Sequence, residues 1–257
     1  MPRVAGVTLV AIALLVCSAS AQNQPPSDPQ AVTFAAQSIA ALTGGAAISD
    51  VTLTGNATWF AGSTSDSGPV TLMATAAGQS RIDIQLSGGV RSEIRDASGG
   101  VAAGGQWIDL AGIAHDFAFQ NCLTDATWFF PALTSLASRS NVVLSYPGQE
   151  NRQGISVQHL HSYIYSGSSA NQQLSAMEFY LDSTSLLPVA ITFNAHPDDD
   201  QSTNIPVEID FSGYQTMNGV VVSTHIQKLL NGQMILDSTI SGASTNNGLA
   251  SSIFQLN

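Results

Sequence analysis

Alternating apolar and polar residues dominate the last quarter of the chain. Val207, Ile209 and Phe211 alternate with polar side chains, and two further alternating runs follow. The pairs Asn218-Gly219 and Asn231-Gly232 separate the three runs. An Asn-Gly pair between alternating runs is typical of a two-residue hairpin, because both residues accept the positive φ of a type I′ turn. The pattern therefore predicts a meander of antiparallel strands, each with one half-buried face.

One amphipathic helix is predicted before the strands, over Pro29–Thr43. Asp28 is suited to cap its start, Pro29 to occupy its first position, and Gly44-Gly45 to end it. Apolar residues recur at helical spacing between these signals, and Val32, Ile39 and Leu42 define the face expected to pack against the sheet.

Short strands at regular spacing account for most of the remaining chain. Residues 51–60 alternate, with Gly55 as a candidate β-bulge, and residues 81–86 alternate cleanly. We count about ten or eleven strands, and a sheet of that size tends to curl because its twist accumulates. The sequence predicts a mainly β (α+β) fold, a single curled antiparallel sheet that forms a half-barrel over residues 51–254.

The segment 115–139 interrupts this alternation. It has no period of two, and it carries an aromatic-rich apolar set around Trp128, Phe129 and Phe130. Pro131 is suited to begin a short helix that ends near Arg139. We predict one or two short helices that cover the sheet as a lid. A curled sheet with such a cover encloses an apolar cavity.

The N-terminus has the pattern of a secretory signal peptide, residues 1–21. Arg3 precedes an apolar run over residues 4–16, and Ala19-Ser20-Ala21 is a small-x-small cleavage site. The mature chain is then expected in the periplasm or otherwise outside the cytoplasm. An alternative is a lipoprotein anchored through Cys17, although Val16 is a poor residue before a lipidated cysteine.

Cleavage after Ala21 predicts a polar, flexible tail over residues 22–27 and a single domain over residues 28–257. It also leaves Cys122 as the one remaining cysteine, so that no internal disulfide can form. We interpret Cys122 as a small buried hydrophobe rather than a reactive thiol.

Charge is scarce and acidic. The chain has 7 Lys+Arg against 18 Asp+Glu and a net charge of −11. Nucleic-acid binding and docking on anionic lipid surfaces both need clustered cations, so this balance argues against either partner.

Several local motifs resemble the LolA/LolB-type envelope proteins. Tyr180-Leu181-Asp182 followed by Leu187-Pro188 resembles a strand end and the proline that opens the next strand in that family. Tyr214 with Asn218-Gly219-Val220, and Asn246 with Ile253-Phe254, resemble its C-terminal hairpin and closing residues. Ser223 or Thr224 stands where the family often has a proline, and its lipoprotein-transfer basic residues have no aligned match.

The resemblance implies a half-barrel carrier or sensor that holds an acyl chain, lipid or lipoprotein, together with an unknown envelope partner. We expect a monomer without enzymatic activity, cofactor or metal. The residues predicted to contact the ligand are apolar positions of the concave face and the lid: Trp59, Leu72, Ile84, Phe179 and Ile191 from the sheet, and Trp128 and Phe129 from the lid. Burying an acyl chain of about twelve methylenes would contribute on the order of 10 kcal/mol.

Two other functions stay open. A secreted structural or adhesive β-module would have the same polar surface but a filled core, so the cavity volume separates it from a carrier. A metalloenzyme is the third alternative, because His159 and His161 point to the same side of one strand. Two imidazoles provide half of a tetrahedral zinc shell, with His225, Glu178 or Asp210 as candidate further ligands. The histidines alternatively line the cavity wall.

Other candidate chemistry is weak. Asp198-Asp199-Asp200 lacks the spacing of a calcium loop and is interpreted as a solvated turn. His115-Asp116 is a possible general-base pair without an activated nucleophile.

Overall fold

The computed structural model describes residues 24–97, 104–124, 126–133, 136 and 140–256. These residues form one 13-stranded antiparallel sheet in the order β6-β5-β4-β3-β2-β1-β13-β12-β11-β10-β9-β8-β7. The strands are β1 Asp50–Ala61, β2 Thr64–Thr75, β3 Gln79–Leu86, β4 Gly89–Asp96, β5 Gly104–Ile108, β6 Ala114–Asp116, β7 Val142–Arg152, β8 Ile155–Ile164, β9 Met177–Asp182, β10 Pro188–Ala195, β11 Ile205–Met217, β12 Val220–Leu230 and β13 Gln233–Thr245. The prediction of a single curled antiparallel sheet is confirmed, with two or three more strands than were counted.

The C-terminal meander forms as predicted. Asn218 and Gly219 have φ values of 50° and 88° and join β11 to β12. Asn231 and Gly232, at 50° and 75°, join β12 to β13 in the same way. Positive φ at both turn residues is the type I′ geometry, which matches the twist of the flanking strands.

The predicted helix α1 (Pro29–Thr43) is present, and its predicted face is correct at Ile39 and Leu42 but wrong at Val32. Asp28 accepts a hydrogen bond from the Gln30 amide at 2.7 Å, and Gly44 ends the helix with φ 63°. The buried residues are Ala31, Ala35, Ser38, Leu42 and Thr43. Val32, predicted to pack inward, is 38% exposed. Small side chains at helical spacing let the helix lie close to the sheet, and hydrophobicity alone does not reveal this.

The pairing of β1 with β13 joins two runs of consecutive hairpins into one sheet. Its register shifts beside Gly55, so that Ser241 of β13 is the extra residue of a bulge. A Cβ on Gly55 would lie 2.0 Å from the carbonyl oxygen of Thr239. The bulge was predicted at the correct position, but the partner strand carries the additional residue.

The edge strands β6 and β7 are consecutive in the chain, so the segment between them runs from one edge of the sheet to the other. This segment contains 3₁₀ turns at Phe119–Cys122 and Pro131–Leu133. The predicted short helices are therefore 3₁₀ turns in the described part of the segment, and the expected helix end near Arg139 lies outside the described residues. The strand β6 lies where helix was predicted, because three edge residues give too short an alternation to recognise.

The lid is completed by α1, which contacts β7, β8 and β12. Since β12 stands four places from β8 in the sheet, contact with both shows that the sheet curls around the helix. We call the face covered by α1 and by the described residues of the segment 117–136 the concave face. A short helix, α2 (Ser169–Leu174), lies between β8 and β9.

Residues just before α1 lie beside the edge strand β7. The Leu144 amide donates to Ser27 Oγ at 3.0 Å, and the Asp28 amide donates to the Leu144 carbonyl at 2.8 Å. Among the residues that the structure describes, no helix is long and apolar enough to span a membrane.

Candidate functional site

The concave face gathers all the sheet residues that were predicted to contact a ligand. Leu72, Phe179 and Ile191 are fully buried, Ile84 is 3% exposed, and Trp59 packs at the margin of the same cluster. Phe179 and Ile191 are direct cross-strand partners. Strand alternation therefore placed each of these side chains on the correct face.

The lid fills the space above these residues. Trp128 and Phe129 are 1% and 2% exposed and meet edge to face at 5.5 Å. Phe130, Leu133 and Leu136 are also buried in the same cluster. The aromatic run of the lid thus packs on the face where the apolar ligand was predicted to bind.

A small cavity lies beside Trp128, with a volume of about 20 Å³. Its lining consists of Trp59, Ile82, Ile84, Arg91, Glu93, Trp128, Lys228 and Leu236. Such a volume accommodates about one water molecule, whereas drug-sized ligands occupy roughly 300 Å³ or more. A ligand of that size fits this cavity only if the side chains that line it move.

The cavity lies at a polar end of the concave face that sequence reasoning missed. Arg91 and Glu93 of β4 pair with Ile84 and Ile82, which places their side chains on this face. Lys228 of β12 lies over the Trp128 ring, with its Nζ 4.9 Å from the ring centre and 3.9 Å from Glu93 Oε2. Burial lowers the pKa of Lys228, and the charge of Glu93 opposes this shift.

All three tryptophans of the chain lie at this end. The Arg91 guanidinium lies 4.2 Å from the ring centre of Trp59 and 4.7 Å from that of Trp107. Burial lowers the pKa of Arg91, against the opposing charges of Glu93 and Asp109. We call this region the basic end, and it comprises Trp59, Trp107, Trp128, Arg91, Arg95, Glu93 and Lys228.

His159 and His161 lie on the opposite, convex face. Their strand partners are Tyr180 and Glu178, whereas Leu160 between them pairs with Phe179 in the core. The alternative in which the histidines line the cavity wall is wrong, because Val157 on their side packs into a separate convex cluster with Tyr180.

Each histidine binds one oxygen of the same carboxylate. His159 Nε2 lies 2.8 Å from Glu178 Oε2, and His161 Nδ1 lies 2.8 Å from Glu178 Oε1. His225, a candidate third ligand, instead contacts Asp237 at 2.7 Å. In the described part of the chain, no group of three or more His, Cys, Asp or Glu side chains is placed to hold a metal ion.

Glu178→Gln is expected to make the free energy of unfolding less dependent on pH in the acidic range. Burial raises the pKa of Glu178, but hydrogen bonds from His159 and His161 outweigh burial and lower the pKa from 4.5 to about 2. Because the folded-state pKa is the lower one, the ionised group stabilises the fold above about pH 4.5, and this contribution is lost as the pH falls toward 2. After a discount for partial exposure we expect a contribution of about 1–2 kcal/mol.

Urea unfolding between pH 7 and pH 3 measures this difference. Wild type should lose stability over that range more steeply than Glu178→Gln. Glu150→Gln is the matched control, since Glu150 is 46% exposed and lies 3.8 Å from His159. Equal slopes for wild type and Glu178→Gln would show that the two imidazoles do not stabilise this carboxylate.

The remaining candidates have local structural roles. Asp200 accepts hydrogen bonds from Ser202 and Thr203, which lower its pKa to about 2 within a tight turn. His115 contacts Asp109 at 3.1 Å, so the predicted pairing with Asp116 is wrong. Cys122 is 1% exposed, and burial raises the pKa of its thiol.

Two motifs of the family resemblance stabilise the fold. The Tyr214 hydroxyl donates to the Pro188 carbonyl at 2.6 Å, which ties the end of β11 to the start of β10. Asn246 accepts from the Ser49 amide at 2.7 Å and donates to the Ala47 carbonyl at 3.0 Å. These contacts fasten the chain where β1 begins and β13 ends.

Solved structures share this architecture at low sequence identity. A DUF1329 family protein from Desulfovibrio piger superposes with a TM-score of 0.57 at 11% identity, covering 90% of this chain and 98% of that one. A domain described as an outer membrane lipoprotein-sorting protein from Vibrio parahaemolyticus gives 0.56 at 11% identity, covering 87% and 95%.

A LolA superfamily protein from Nitrosomonas europaea gives a TM-score of 0.56 at 9% identity, covering 88% of this chain and 97% of that one. No protein-family model matches the sequence, and no curated protein matches it significantly. The resemblance read from the C-terminal motifs is confirmed at the level of structure: the chain has the fold of the LolA superfamily proteins.

Proposed function

We propose that this protein is an envelope carrier or sensor that binds an acyl chain, or the acyl part of a lipid or lipoprotein, on its concave face. The observation that carries the proposal is that the side chains covering the concave face belong to a lid segment and not to the sheet itself. The aromatic residues above the sheet come from one segment that runs between the two sheet edges, and its described residues have little regular structure. Such a segment can withdraw without breaking a strand pairing.

The apolar surface beneath the lid suits this role. Leu72, Phe179 and Ile191 belong to three different strands and are completely covered. An acyl chain of about twelve methylenes would contribute on the order of 10 kcal/mol when buried, and it would take over the packing that the lid provides when the lid moves away. Lid movement and ligand uptake are therefore coupled in this proposal.

The proposed setting follows from the N-terminal pattern. Residues 1–21 lie outside the described residues, and we propose that they direct export and are removed. In this proposal the protein acts as a monomer outside the cytoplasm, without a cofactor or catalytic group.

A secreted structural module is the second candidate function. The observation that favours it is the cavity of about 20 Å³, because a structural module fills its core with side chains. The two functions differ in whether the lid exchanges places with an acyl chain.

Quenching of tryptophan fluorescence by a brominated fatty acid tests the proposal. Since all three tryptophans lie at one end of the concave face, contact between this region and a bromine-bearing chain should quench most of the emission. The chain of the same length without bromine should compete and restore the signal, which separates binding from a change in environment. Saturable quenching supports a carrier or sensor. No quenching, together with native mass spectra free of bound lipid, would support the structural module.

A further inference from the structure

We propose that the basic end binds the anionic head group of the ligand, so that the ligand class is an acidic amphiphile with a carboxylate or phosphate at the end of its acyl chain. This inference rests on the proposed function, and it adds the polarity and orientation of the ligand. The head group would lie beside Lys228 and Arg91, and the chain would extend over the apolar part of the concave face.

The first argument is the concentration of positive charge. Only 7 of the 257 residues are Lys or Arg, yet Arg91 and Lys228 both line this cavity, and the charge of Arg95 also acts on Lys228. Among the described residues, the carboxylates whose charges act on Arg91 are Glu93 and Asp109. Burying a cation without a partner of opposite charge is unfavourable, so an excess of cations on a concave apolar face favours an anion.

The second argument is a surplus of hydrogen-bond donors. The Lys228 Nζ to Glu93 Oε2 distance of 3.9 Å exceeds hydrogen-bond length. Within the described part of the chain, Trp128 Nε1 and Arg95 Nε are buried without an acceptor. Trp128 is 1% exposed and Arg95 is 6% exposed, so neither group is compensated by bulk water. The Arg95 guanidinium also donates to the Thr124 carbonyl through Nη2, whereas Lys228 and Trp128 line the cavity, where an oxyanion would provide an acceptor.

The third argument is the position of the small cavity. Arg91, Lys228 and Trp128 all line it, next to Ile82 and Ile84 of the apolar face. Trp59 and Arg91, which line it, are half-buried, and so is Trp107, which contacts Arg91. The faces of the Arg91 guanidinium contact two tryptophan rings, which leaves the N–H groups in its plane available to an anion. The polar margin and the apolar interior therefore match the two ends of an amphiphile.

Three ligands with the same chain test this inference: oleic acid, oleyl alcohol and oleoyl lysophosphatidic acid, each titrated into the mature protein by calorimetry at pH 8. Wild type is expected to bind oleic acid at least about tenfold more tightly than the alcohol, the lower range for a hydrogen bond to a charged group. In Lys228→Met the affinity for oleic acid should no longer exceed the affinity for oleyl alcohol, whereas Lys228→Arg should keep the preference for the acid. If lysophosphatidic acid binds more tightly than oleic acid, phosphate is the preferred head group. If oleic acid binds more tightly, carboxylate is the preferred head group.

Arg81→Met is the control, because Arg81 pairs with Asp83 at 2.9 Å and also contacts the Ile253 carbonyl, away from the basic end. It should retain the wild-type preference. Arg91→Met provides a second test at a half-buried position if Lys228→Met does not fold. Equal binding of acid and alcohol by wild type would overturn the head-group inference and leave the carrier proposal intact. A preference that survives in both Lys228→Met and Arg91→Met would also overturn it. Binding of none of the three ligands would instead reject the proposed function.

Discussion

Trp128→Ala is expected to lower the free energy of unfolding by about 3–5 kcal/mol, the usual range for removing a fully buried large aromatic side chain. Trp128 is 1% exposed, packs edge to face on Phe129, and covers the Lys228 ammonium. The substitution removes this packing and enlarges the cavity of about 20 Å³ at its lid side. Urea unfolding followed by circular dichroism measures the loss.

The same variant distinguishes a lid from an ordinary core segment. If an acyl chain normally replaces the lid, it should occupy the enlarged cavity, and a saturating fatty acid should recover part of the lost stability through binding to the folded state. Phe254→Ala is the matched control, because Phe254 is 1% exposed and belongs to a 3₁₀ turn against β3 and β4, outside the concave cluster. Recovery of equal size in both variants, or a loss below about 1 kcal/mol for Trp128→Ala, would contradict the role assigned to the lid.

The sheet could be predicted because its signals are local. The period of two fixes which side chains share a face, and the Asn-Gly pairs fix the register of the hairpins they close. These two rules placed Leu72, Phe179 and Ile191 together on the buried face, although β2 and β9 are far apart in the chain. The same alternation does not tell which of the two faces becomes concave, and for His159 and His161 both faces stayed open until the structure placed them outside.

The lid could not be predicted in the same way. Its aromatic residues are consecutive in sequence, so they carry no period, and their 3₁₀ turns are too short for helical spacing to appear. What determines their position is the topology. Because β6 and β7 are the two edges of the sheet, the chain between them extends from one edge to the other.

The basic end had a signal that sequence reasoning did not use. Lys228 occupies the same strand parity as Ile226 and Leu230, so it stands where alternation calls for a buried apolar residue. A lysine at such a position indicates either that the strand register has been assigned wrongly or that the buried charge has a function. The partners Glu93 and Trp128 come from distant parts of the chain, and only the folded sheet and its lid reveal them.

At the junction between the two halves of the sheet, a single added methyl group is expected to have a severe effect on folding. Every other neighbouring pair of strands is consecutive in the chain, whereas β1 and β13 begin more than 180 residues apart. Their pairing therefore forms against the largest loop entropy and unites two meanders into one sheet. Gly55 lies within this pairing, opposite the bulge in β13.

Gly55→Ala is expected to destabilise the protein by at least about 3 kcal/mol, at the upper end for overpacking, because the clash involves main chain rather than a flexible side chain. The added Cβ would lie 2.0 Å from the Thr239 carbonyl oxygen and 2.9 Å from the Ile240 Cα, so β13 must move away from β1. Asn56→Ala is the matched control: it introduces the same residue one position along, at an exposed site, and should change stability by less than about 0.5 kcal/mol. Both variants are compared by urea unfolding and by amide hydrogen exchange across β1 and β13. If Gly55→Ala matched Asn56→Ala in stability, the close approach of the two strands at this bulge would be wrong.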